Sequence, residues 1–191
     1  MSETTSFVWF AIDAALTYLI NSFSGKTTVL DGVMIILSLV GVPAMGLFVV
    51  ALWWVKDDRS QTRHHIISAG LALGSALAFN QTIILFIQRS RPYLEGVTQL
   101  IVSPSTDPSF PSDHASAAFA IAFAFLFCGD TRRGKWLAAF ASLVGLSRVF
   151  VGTHYVGDVV GGAFTAAIAA SVVCILYQAV AHTLSRISQL K

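Results

Sequence analysis

The segment 109–114, with the sequence Ser-Phe-Pro-Ser-Asp-His, places polar side chains between two long apolar runs. Ser112 is a preferred N-cap residue and Pro111 before it is disfavoured inside a helix, so the sequence predicts a helix that begins here. The free N–H groups at the start of such a helix can bind an anion, and His114 in its first turn could transfer a proton to that anion. An ordinary capped membrane helix without chemistry is the alternative interpretation.

A second group of reactive residues contains His154 and Asp158, which are four residues apart and would share a face of a helix. A carboxylate on one ring nitrogen fixes the imidazole tautomer and leaves the other nitrogen free to attack, as in an activated nucleophile. Arg148 lies at the end of an apolar run, and its planar guanidinium suits phosphate oxygens. The alternative for this group is a structural ion pair.

The histidines do not follow a metal-binding pattern. His114 and His154 are distant in sequence, and no cysteine or glutamate accompanies them to complete a zinc site. We therefore predict neither a metal ion nor a cofactor. The other histidines lie at the ends of apolar runs, where this side chain is typically interfacial; they are His64, His65 and His182.

The composition indicates a polytopic membrane protein with one domain over residues 1–191. The chain is 55% hydrophobic and 12% charged, with a mean hydropathy of +0.71, whereas soluble domains carry about 25% charged residues. A net charge of +2 without a basic run argues against a nucleic-acid partner. Cys128 and Cys174 both lie in apolar segments, so we predict no disulfide.

The fold predicted from these runs is an all-α membrane helix bundle. Five transmembrane helices are expected, at residues 32–55, 65–88, 115–129, 136–151 and 156–184. The N-terminal run 7–22 is interrupted by Asp13 and Asn21 and would be only about 24 Å long, so it is interpreted as an interfacial helix, with a short sixth membrane helix as the alternative. Asn80 and Gln81 should face the bundle interior, because an unsatisfied amide in a span is costly.

The basic residues predict the orientation of the bundle. Eight of the twelve lie in two loops and at the C-terminus, which the positive-inside rule places in the cytoplasm; they are Lys56, Arg59, Arg63, Arg132, Arg133, Lys135, Arg186 and Lys191. If these basic residues lie in the cytoplasm, the alternating direction of the spans predicts one common location for three polar segments. The connection 89–112, His114 and the segment 147–158 would then all lie at the external face of the membrane. This convergence favours an anion-binding active site over a structural ion pair.

Together these residues resemble the signature of the type-2 phosphatidic acid phosphatase family. The resemblance covers about residues 84–158 and consists of three motifs. In this sequence they are Arg91-Pro92, Pro111-Ser112-Asp113-His114, and Ser147-Arg148 followed by His154 and Asp158. The third motif matches the pattern SRxxxxxHxxxD at each fixed position and is highly specific.

The resemblance implies a metal-independent lipid phosphatase. In the family, the histidine at the position of His154 attacks phosphorus to form a phosphohistidine, the aspartate at Asp158 supports it, and the histidine at His114 protonates the leaving group. The resemblance also implies the residues that bind the phosphate; they are Arg91, Arg148 and Ser112.

Two positions depart from the family pattern. The first motif usually has a lysine seven residues before its arginine, and this chain has Ile84 there. Arg89 is near enough to replace this phosphate ligand, and we hypothesise that it binds the second phosphate of a pyrophosphate. Asp113 stands where the second motif usually has glycine, and this variant resembles the branch that dephosphorylates undecaprenyl pyrophosphate.

These expectations define a bacterial plasma-membrane enzyme that hydrolyses undecaprenyl pyrophosphate to undecaprenyl phosphate, the lipid carrier of wall synthesis. Its active site would face the periplasm or cell exterior, and its partners would be the polyprenyl pyrophosphate and membrane lipids. The alternatives are a phosphatidylglycerol phosphate or phosphatidate phosphatase of the same family, and an inactive binding or transport relative.

Overall fold

Helices account for most of the residues that the computed structural model describes, which are 3–55 and 59–189. Six α-helices and one 3-10 turn at Leu52–Trp54 follow one another; the α-helices are α1 Glu3–Asn21, α2 Thr28–Ala51, α3 Arg59–Ile84, α4 Asp113–Phe127, α5 Thr131–Phe150 and α6 Val156–Gln189. No strand occurs within these ranges, and the all-α prediction is confirmed. Lys56 and Lys191 of the predicted cytoplasmic segments lie outside the described residues, as does the side chain of Arg186.

Three segments are long and apolar enough to cross a membrane, and they identify a multi-pass membrane protein. They are Thr28–Trp54, Arg59–Ile84 and Val156–Val180. α4 has only 15 residues and α5 has 20, with basic residues near both of its ends. The predicted count of five transmembrane helices therefore remains a prediction for α4 and α5. α1 contributes a shorter apolar segment, Val8–Asn21.

α4 lies at the centre of the bundle, where it packs against α3, α5 and α6. Its alanines are almost completely buried, and such small side chains let neighbouring helices approach closely; they are Ala115, Ala117, Ala118, Ala120, Ala122 and Ala124. Close approach is also visible at Gly162 of α6, where a Cβ atom would lie 2.7 Å from the Ser112 carbonyl oxygen. The start of α6 is thereby held against the start of α4.

A disulfide joins Cys128, at the end of α4, to Cys174 in α6, and the prediction of no disulfide was wrong. The two Cα atoms are 5.5 Å apart although the residues are 46 positions apart in sequence. Both cysteines do lie in apolar segments, as the sequence indicated. Their pairing follows from the packing of α4 against α6, which the local sequence does not reveal.

The connection between α3 and α4 folds over one end of the bundle without a helix or strand of its own. Backbone hydrogen bonds attach it to the neighbouring helices. Ile101 N donates to Val151 O at 3.2 Å, just beyond α5, and Ser112 N donates to Asp158 O at 3.1 Å in α6. The connection therefore lies against the turn 151–155 between α5 and α6.

Candidate active site

A cavity of about 250 Å³ lies where this connection meets the bundle. Residues from all three sequence motifs line it together with neighbouring residues; the lining is Gln81, Ile84, Arg91, Ser105, Asp107, Pro108, Pro111, Asp113, His114, Arg148 and His154. Three of the predicted site residues lie outside this lining, and they are Ser112, Asp158 and Arg89. The polar segments that the sequence placed on one face thus meet around a single cavity.

His154 lies in the turn between α5 and α6 and is only 3% exposed. Its Nδ1 atom is 2.8 Å from the backbone oxygen of Ser109. Because a carbonyl oxygen can only accept a hydrogen bond, we assign the ring proton to Nδ1. Nε2 then carries the lone pair, which accepts a hydrogen bond from Nη1 of Arg91 at 3.3 Å. The reactive nitrogen is thus directed towards a guanidinium group.

Asp158 supports this arrangement indirectly, which corrects the expectation that it holds the imidazole itself. Its Oδ2 is 3.6 Å from His154 Nδ1, beyond hydrogen-bond distance, and accepts instead from Ser109 Oγ at 2.5 Å and from Tyr155 N at 2.8 Å. The reason is that α6 begins only at Val156, so His154 does not have the helical geometry that a spacing of four residues assumes. The carboxylate holds Ser109, and the carbonyl group of Ser109 holds the ring.

The environment of His154 favours the neutral imidazole. Burial lowers the pKa of His154, because the charged form loses its hydration. The Asp158 carboxylate opposes this shift in the pKa, and the positive charges of Arg148 and Arg91 add to it. A neutral ring is the form that carries a lone pair for attack.

Arg91 and Arg148 are both buried and line the cavity. Arg91 donates from Nε to Asp107 O at 2.8 Å and from Nη1 to Thr153 O at 3.0 Å. Arg148 donates from Nη1 to Ser38 Oγ at 2.5 Å, while its buried Nε has no hydrogen-bond partner in the described part of the chain. Within the described ranges neither arginine forms an ion pair with a carboxylate. Buried cations without an anionic partner are costly, so this pair is suited to an anionic ligand.

The start of α4 contributes Asp113 and His114 to the cavity lining. Ser112 is the N-cap of α4 as predicted, although its buried Oγ has no hydrogen-bond partner in residues 3–55 and 59–189. Asp113 is held by amide groups of α3, with Oδ1 accepting from Asn80 Nδ2 at 2.7 Å and Oδ2 from Gln81 Nε2 at 3.5 Å. Asn80 is fully buried as predicted, whereas Gln81 is exposed in the cavity wall. These amides stabilise a carboxylate beside an anion site.

Arg89 does not occupy the position expected for a ligand in the His154 cavity. Its Nη1 contacts Asp158 Oδ1 and its Nη2 contacts Asp13 Oδ2, each at 2.7 Å. The guanidinium also lies over the Tyr155 ring, 3.8 Å from its centroid. Two carboxylates compete with any phosphate for this side chain. Arg89 does line a neighbouring cavity of about 460 Å³, which shares Arg91, Ser105, Asp107 and Pro108 with the first.

Several residues that contact the reactive groups were missed in the sequence. Ser109 is fully buried between His154 and Asp158, and Ser38 of α2 holds Arg148. Ser109 begins the segment 109–114 that the sequence singled out, but a single serine carries no spacing signal from which its role, or that of Ser38, could be predicted. A signal was present for α1, where the polar residues recur every four positions; they are Asp13, Thr17 and Asn21.

Comparison with known proteins identifies the class to which this arrangement belongs. The chain matches the PAP2 superfamily model over residues 65–182. It is 34% identical over 150 residues to undecaprenyl-diphosphatase BcrC of Bacillus subtilis (strain 168), covering 78% of this chain and 76% of that protein. It is 30% identical over 144 residues to the putative undecaprenyl-diphosphatase YbjG of Escherichia coli (strain K12), covering 75% of this chain and 71% of that protein.

Two solved structures share the fold. LpxE of Aquifex aeolicus has a TM-score of 0.68 at 21% identity, covering 83% of this chain and 92% of that one. The PAP2 type phosphatidylglycerolphosphate phosphatase from Bacillus subtilis has a TM-score of 0.60 at 21% identity, covering 92% and 95%. The chain belongs to the PAP2 superfamily, and the resemblance inferred from the motifs is confirmed. It is a membrane phosphatase of that family.

Proposed function

We propose that this protein hydrolyses undecaprenyl pyrophosphate to undecaprenyl phosphate and orthophosphate through a phosphohistidine on His154. The observation that carries the proposal is the hydrogen bond from His154 Nδ1 to the Ser109 carbonyl oxygen. It leaves the Nε2 lone pair directed towards Arg91, in a cavity that Arg148 also lines. A nucleophile and two cations for the phosphoryl group are therefore combined in one place.

The proposed reaction has two steps. In the first, Nε2 of His154 forms a bond to the distal phosphorus while the bond from that phosphorus to the bridging oxygen breaks. Undecaprenyl phosphate leaves with the bridging oxygen, and His114 supplies its proton. Burial and the positive charges of Arg148 and Arg91 lower the pKa of His114 to about 4 in the free site, so the bound pyrophosphate must raise this pKa for His114 to act as the acid. In the second, His114 takes a proton from water, the water oxygen forms a bond to phosphorus while the bond from phosphorus to Nε2 of His154 breaks, and orthophosphate is released.

The charges of Arg91 and Arg148 would stabilise the phosphoryl oxygens in both steps, so the proposed reaction needs no metal ion. A guanidinium group can donate two parallel hydrogen bonds to two phosphate oxygens, and it remains charged at physiological pH. The unpartnered Nε of Arg148 offers one such donor. Excess chelator is therefore expected to leave the rate nearly unchanged, and loss of activity that a divalent ion restores would contradict this part of the proposal.

The pyrophosphate is proposed as substrate because of the named relatives and of Asp113. Two proteins that the chain matches over about three quarters of its length are named as undecaprenyl-diphosphatases, one of them putatively. Asp113, held by Asn80 and Gln81, stands at the position where the family usually has glycine. A phosphate leaving group also needs less help from an acid than an alkoxide does. The site is proposed to face the cell exterior or periplasm, following the charges of the loops.

A substrate panel with purified protein in detergent tests this assignment. Orthophosphate release from undecaprenyl pyrophosphate should exceed release from phosphatidylglycerol phosphate and phosphatidate at equal concentration. Equal or faster hydrolysis of the monophosphates would assign the protein to the sibling phosphatases of the same family. No release from any of the three would identify the inactive binding or transport relative.

The covalent step is tested separately by rapid quenching with substrate labelled in its distal phosphate. Label should remain on the protein through alkali but be lost in acid, which is the behaviour of a phosphoramidate bond. It should be absent from His154→Ala and retained in His65→Ala, a buried histidine outside the cavity. Turnover without any labelled intermediate would contradict the phosphohistidine route.

A further inference from the structure

α1 carries three polar side chains in a single row. Asp13, Thr17 and Asn21 follow one another at intervals of four residues, so they lie on one face of the helix. Thr17 and Asn21 are buried and Asp13 is half-buried. Seven large apolar or aromatic residues elsewhere on α1 are exposed; they are Val8, Trp9, Phe10, Ile12, Leu16, Tyr18 and Leu19. The polar row therefore faces the protein, while the apolar surface faces outward.

Asn21 forms hydrogen bonds with the end of α5, which precedes the turn that contains His154, and with the connection that lies against this turn. Its Nδ2 donates to Phe150 O at 2.8 Å, at the last residue of α5, and to Gln99 O at 2.9 Å. Its Oδ1 accepts from Gln99 N at 2.7 Å. One side chain of α1 thus joins the end of α5 to the connection between α3 and α4.

Thr17 and Asp13 bind the segment that leaves the same turn. Thr17 Oγ1 accepts from Val156 N at 3.0 Å, and Asp13 Oδ1 accepts from Gly157 N at 2.7 Å. The first N–H groups of a helix have no partner within it, and a carboxylate near them is favourable. α1 therefore supplies the acceptors for the start of α6, two to three residues after His154.

Asp13 also reaches the carboxylate behind His154 through Arg89. The guanidinium of Arg89 bridges Asp13 Oδ2 and Asp158 Oδ1, each at 2.7 Å. Two carboxylates share one positive charge, so this group remains negative overall. Without Asp13, the charge of Arg89 would neutralise that of Asp158.

We infer that Asp13, Thr17 and Asn21 of α1 are positioning residues, which fix the turn carrying His154 and keep negative charge behind its ring. This inference rests on the proposed function, in which His154 is the nucleophile. None of the three residues lines the cavity, so they act through Arg89 and through the backbone of the turn.

The charged groups and the second histidine around His154 come from five parts of the fold. They are Asp13 of α1; Arg89, Arg91 and Asp107 of the connection; Asp113 and His114 of α4; Arg148 of α5; and Asp158 of α6. Replacing Asp13 by asparagine removes one negative charge from this set and keeps the size of the side chain. The imidazolium form of His154 should then be less favoured, so the pKa of the ring should fall further.

The test compares Asp13→Asn and Thr17→Val with Thr17→Ser and Ser22→Ala in the full-length protein. Ser22 lies beyond the end of α1 and donates to Leu19 O of the same helix at 2.7 Å, so its variant is the matched control. We expect Asp13→Asn and Thr17→Val to lower kcat roughly ten- to a hundredfold, with KM changed by less than about threefold. Thr17→Ser, which keeps the hydroxyl, should restore most of the rate.

The protonation of His154 is measured in the same variants by ¹⁵N NMR of the imidazole, assigned with His154→Gln. Asp13→Asn should move the titration midpoint to lower pH, whereas Thr17→Val and Ser22→Ala should leave it in place. A kcat and a titration that are unchanged in Asp13→Asn would overturn the inference. A kcat loss that merely follows a loss of folded protein, measured by Tm and gel filtration, would also overturn it.

The two hypotheses fail differently in this experiment. If the wild type hydrolyses no lipid phosphate but Asp13→Asn still shifts the titration, the proposed function fails and the positioning role stands. If the wild type is active and Asp13→Asn matches it in both measurements, the function stands and the positioning role fails.

Discussion

Two buried histidines lie near opposite ends of α4, and each has one ring nitrogen at a backbone carbonyl. His154 contacts Ser109 O at 2.8 Å near the start of the helix, and His65 Nε2 lies 3.1 Å from Cys128 O just beyond its end. The two differ in their second nitrogen. That of His154 faces Arg91, whereas Nδ1 of His65 is buried without a hydrogen-bond partner in the described residues.

The cavities beside these histidines differ in the same way. The His65 cavity has about 290 Å³, and its described lining contains no arginine or lysine; it consists of Gln61, His64, His65, Ser68, Cys128, Cys174, Tyr177 and Gln178. The only guanidinium ion pair near that end that is described joins Arg133 to Asp130 at 3.0 Å. The two cavities therefore differ in the unpaired cations beside the second ring nitrogen, which the proposed phosphoryl transfer on His154 requires.

The largest effect is expected when the two histidines are replaced in turn. His154→Ala should lower the rate of phosphate release by several orders of magnitude, because the attacking atom is lost. His65→Ala should keep the rate per folded molecule within about threefold, since the described lining of its cavity contains no guanidinium group. Retention of more than about a tenth of the activity in His154→Ala would contradict the comparison.

A smaller effect is expected at the arginines, measured with vanadate, which mimics the phosphoryl transition state. Arg148→Ala should weaken vanadate inhibition roughly ten- to a hundredfold, the scale of one lost charge-assisted hydrogen bond. Arg133→Ala should leave the inhibition constant unchanged, because Arg133 is paired with Asp130. Equal loss in the two variants would mean that the unpaired state of Arg148 is irrelevant.

The carboxylates should show an effect similar to or below that of the arginines. Asp158→Asn should reduce kcat by about ten- to a hundredfold, less than His154→Ala, because the carboxylate acts on the ring through Ser109. Asp130→Asn removes charge from the N-cap of α5, where Oδ1 accepts from Arg133 N, so it should lower Tm slightly and leave kcat unchanged. Measuring kcat and Tm for Asp158→Asn and Asp130→Asn under the same conditions checks both expectations. A kcat for Asp158→Asn equal to the wild type would refute its supporting role.

The change of kcat/KM with pH should be smaller than the effects of the substitutions described above. Burial lowers the pKa of His154, so the protonated ring appears only at a lower pH than in an ordinary histidine. On the acidic side, kcat/KM should therefore begin to fall below about pH 6.5, the usual value for this side chain. A pH series of initial rates measures this limb, and a midpoint above about pH 7 is incompatible with a lowered pKa.

The sequence predicted those parts of the site that follow from local rules. Ser112 is the N-cap residue of α4 as predicted, although its side chain makes no capping hydrogen bond. Asn80 is buried as predicted for an amide in a span, whereas Gln81 beside it is exposed. Because successive spans run in opposite directions, the sequence predicted that the three motifs lie at one end of the bundle. There they line or adjoin one cavity. Each of these conclusions needs only neighbouring residues or the order of the helices.

The parts that failed depend on contacts between distant segments. The spacing of His154 and Asp158 predicted that the carboxylate holds the ring, but the two groups are 3.6 Å apart without a hydrogen bond. α6 begins only at Val156, and acceptors on the distant helix α1 bind Val156 N and Gly157 N. The disulfide and the ion pairs of Arg89 likewise join residues that are far apart in sequence. Such pairings arise from packing, and a single sequence contains little trace of them.

The amide-held carboxylate of Asp113 has a consequence for product release. Asp113 and Asp107 line the same cavity as Arg91 and Arg148, so two formal negative charges balance two positive ones when the histidines are neutral. Orthophosphate would be retained by directed hydrogen bonds rather than by an excess of positive charge. We therefore expect weak inhibition by orthophosphate and rapid turnover even where this product accumulates.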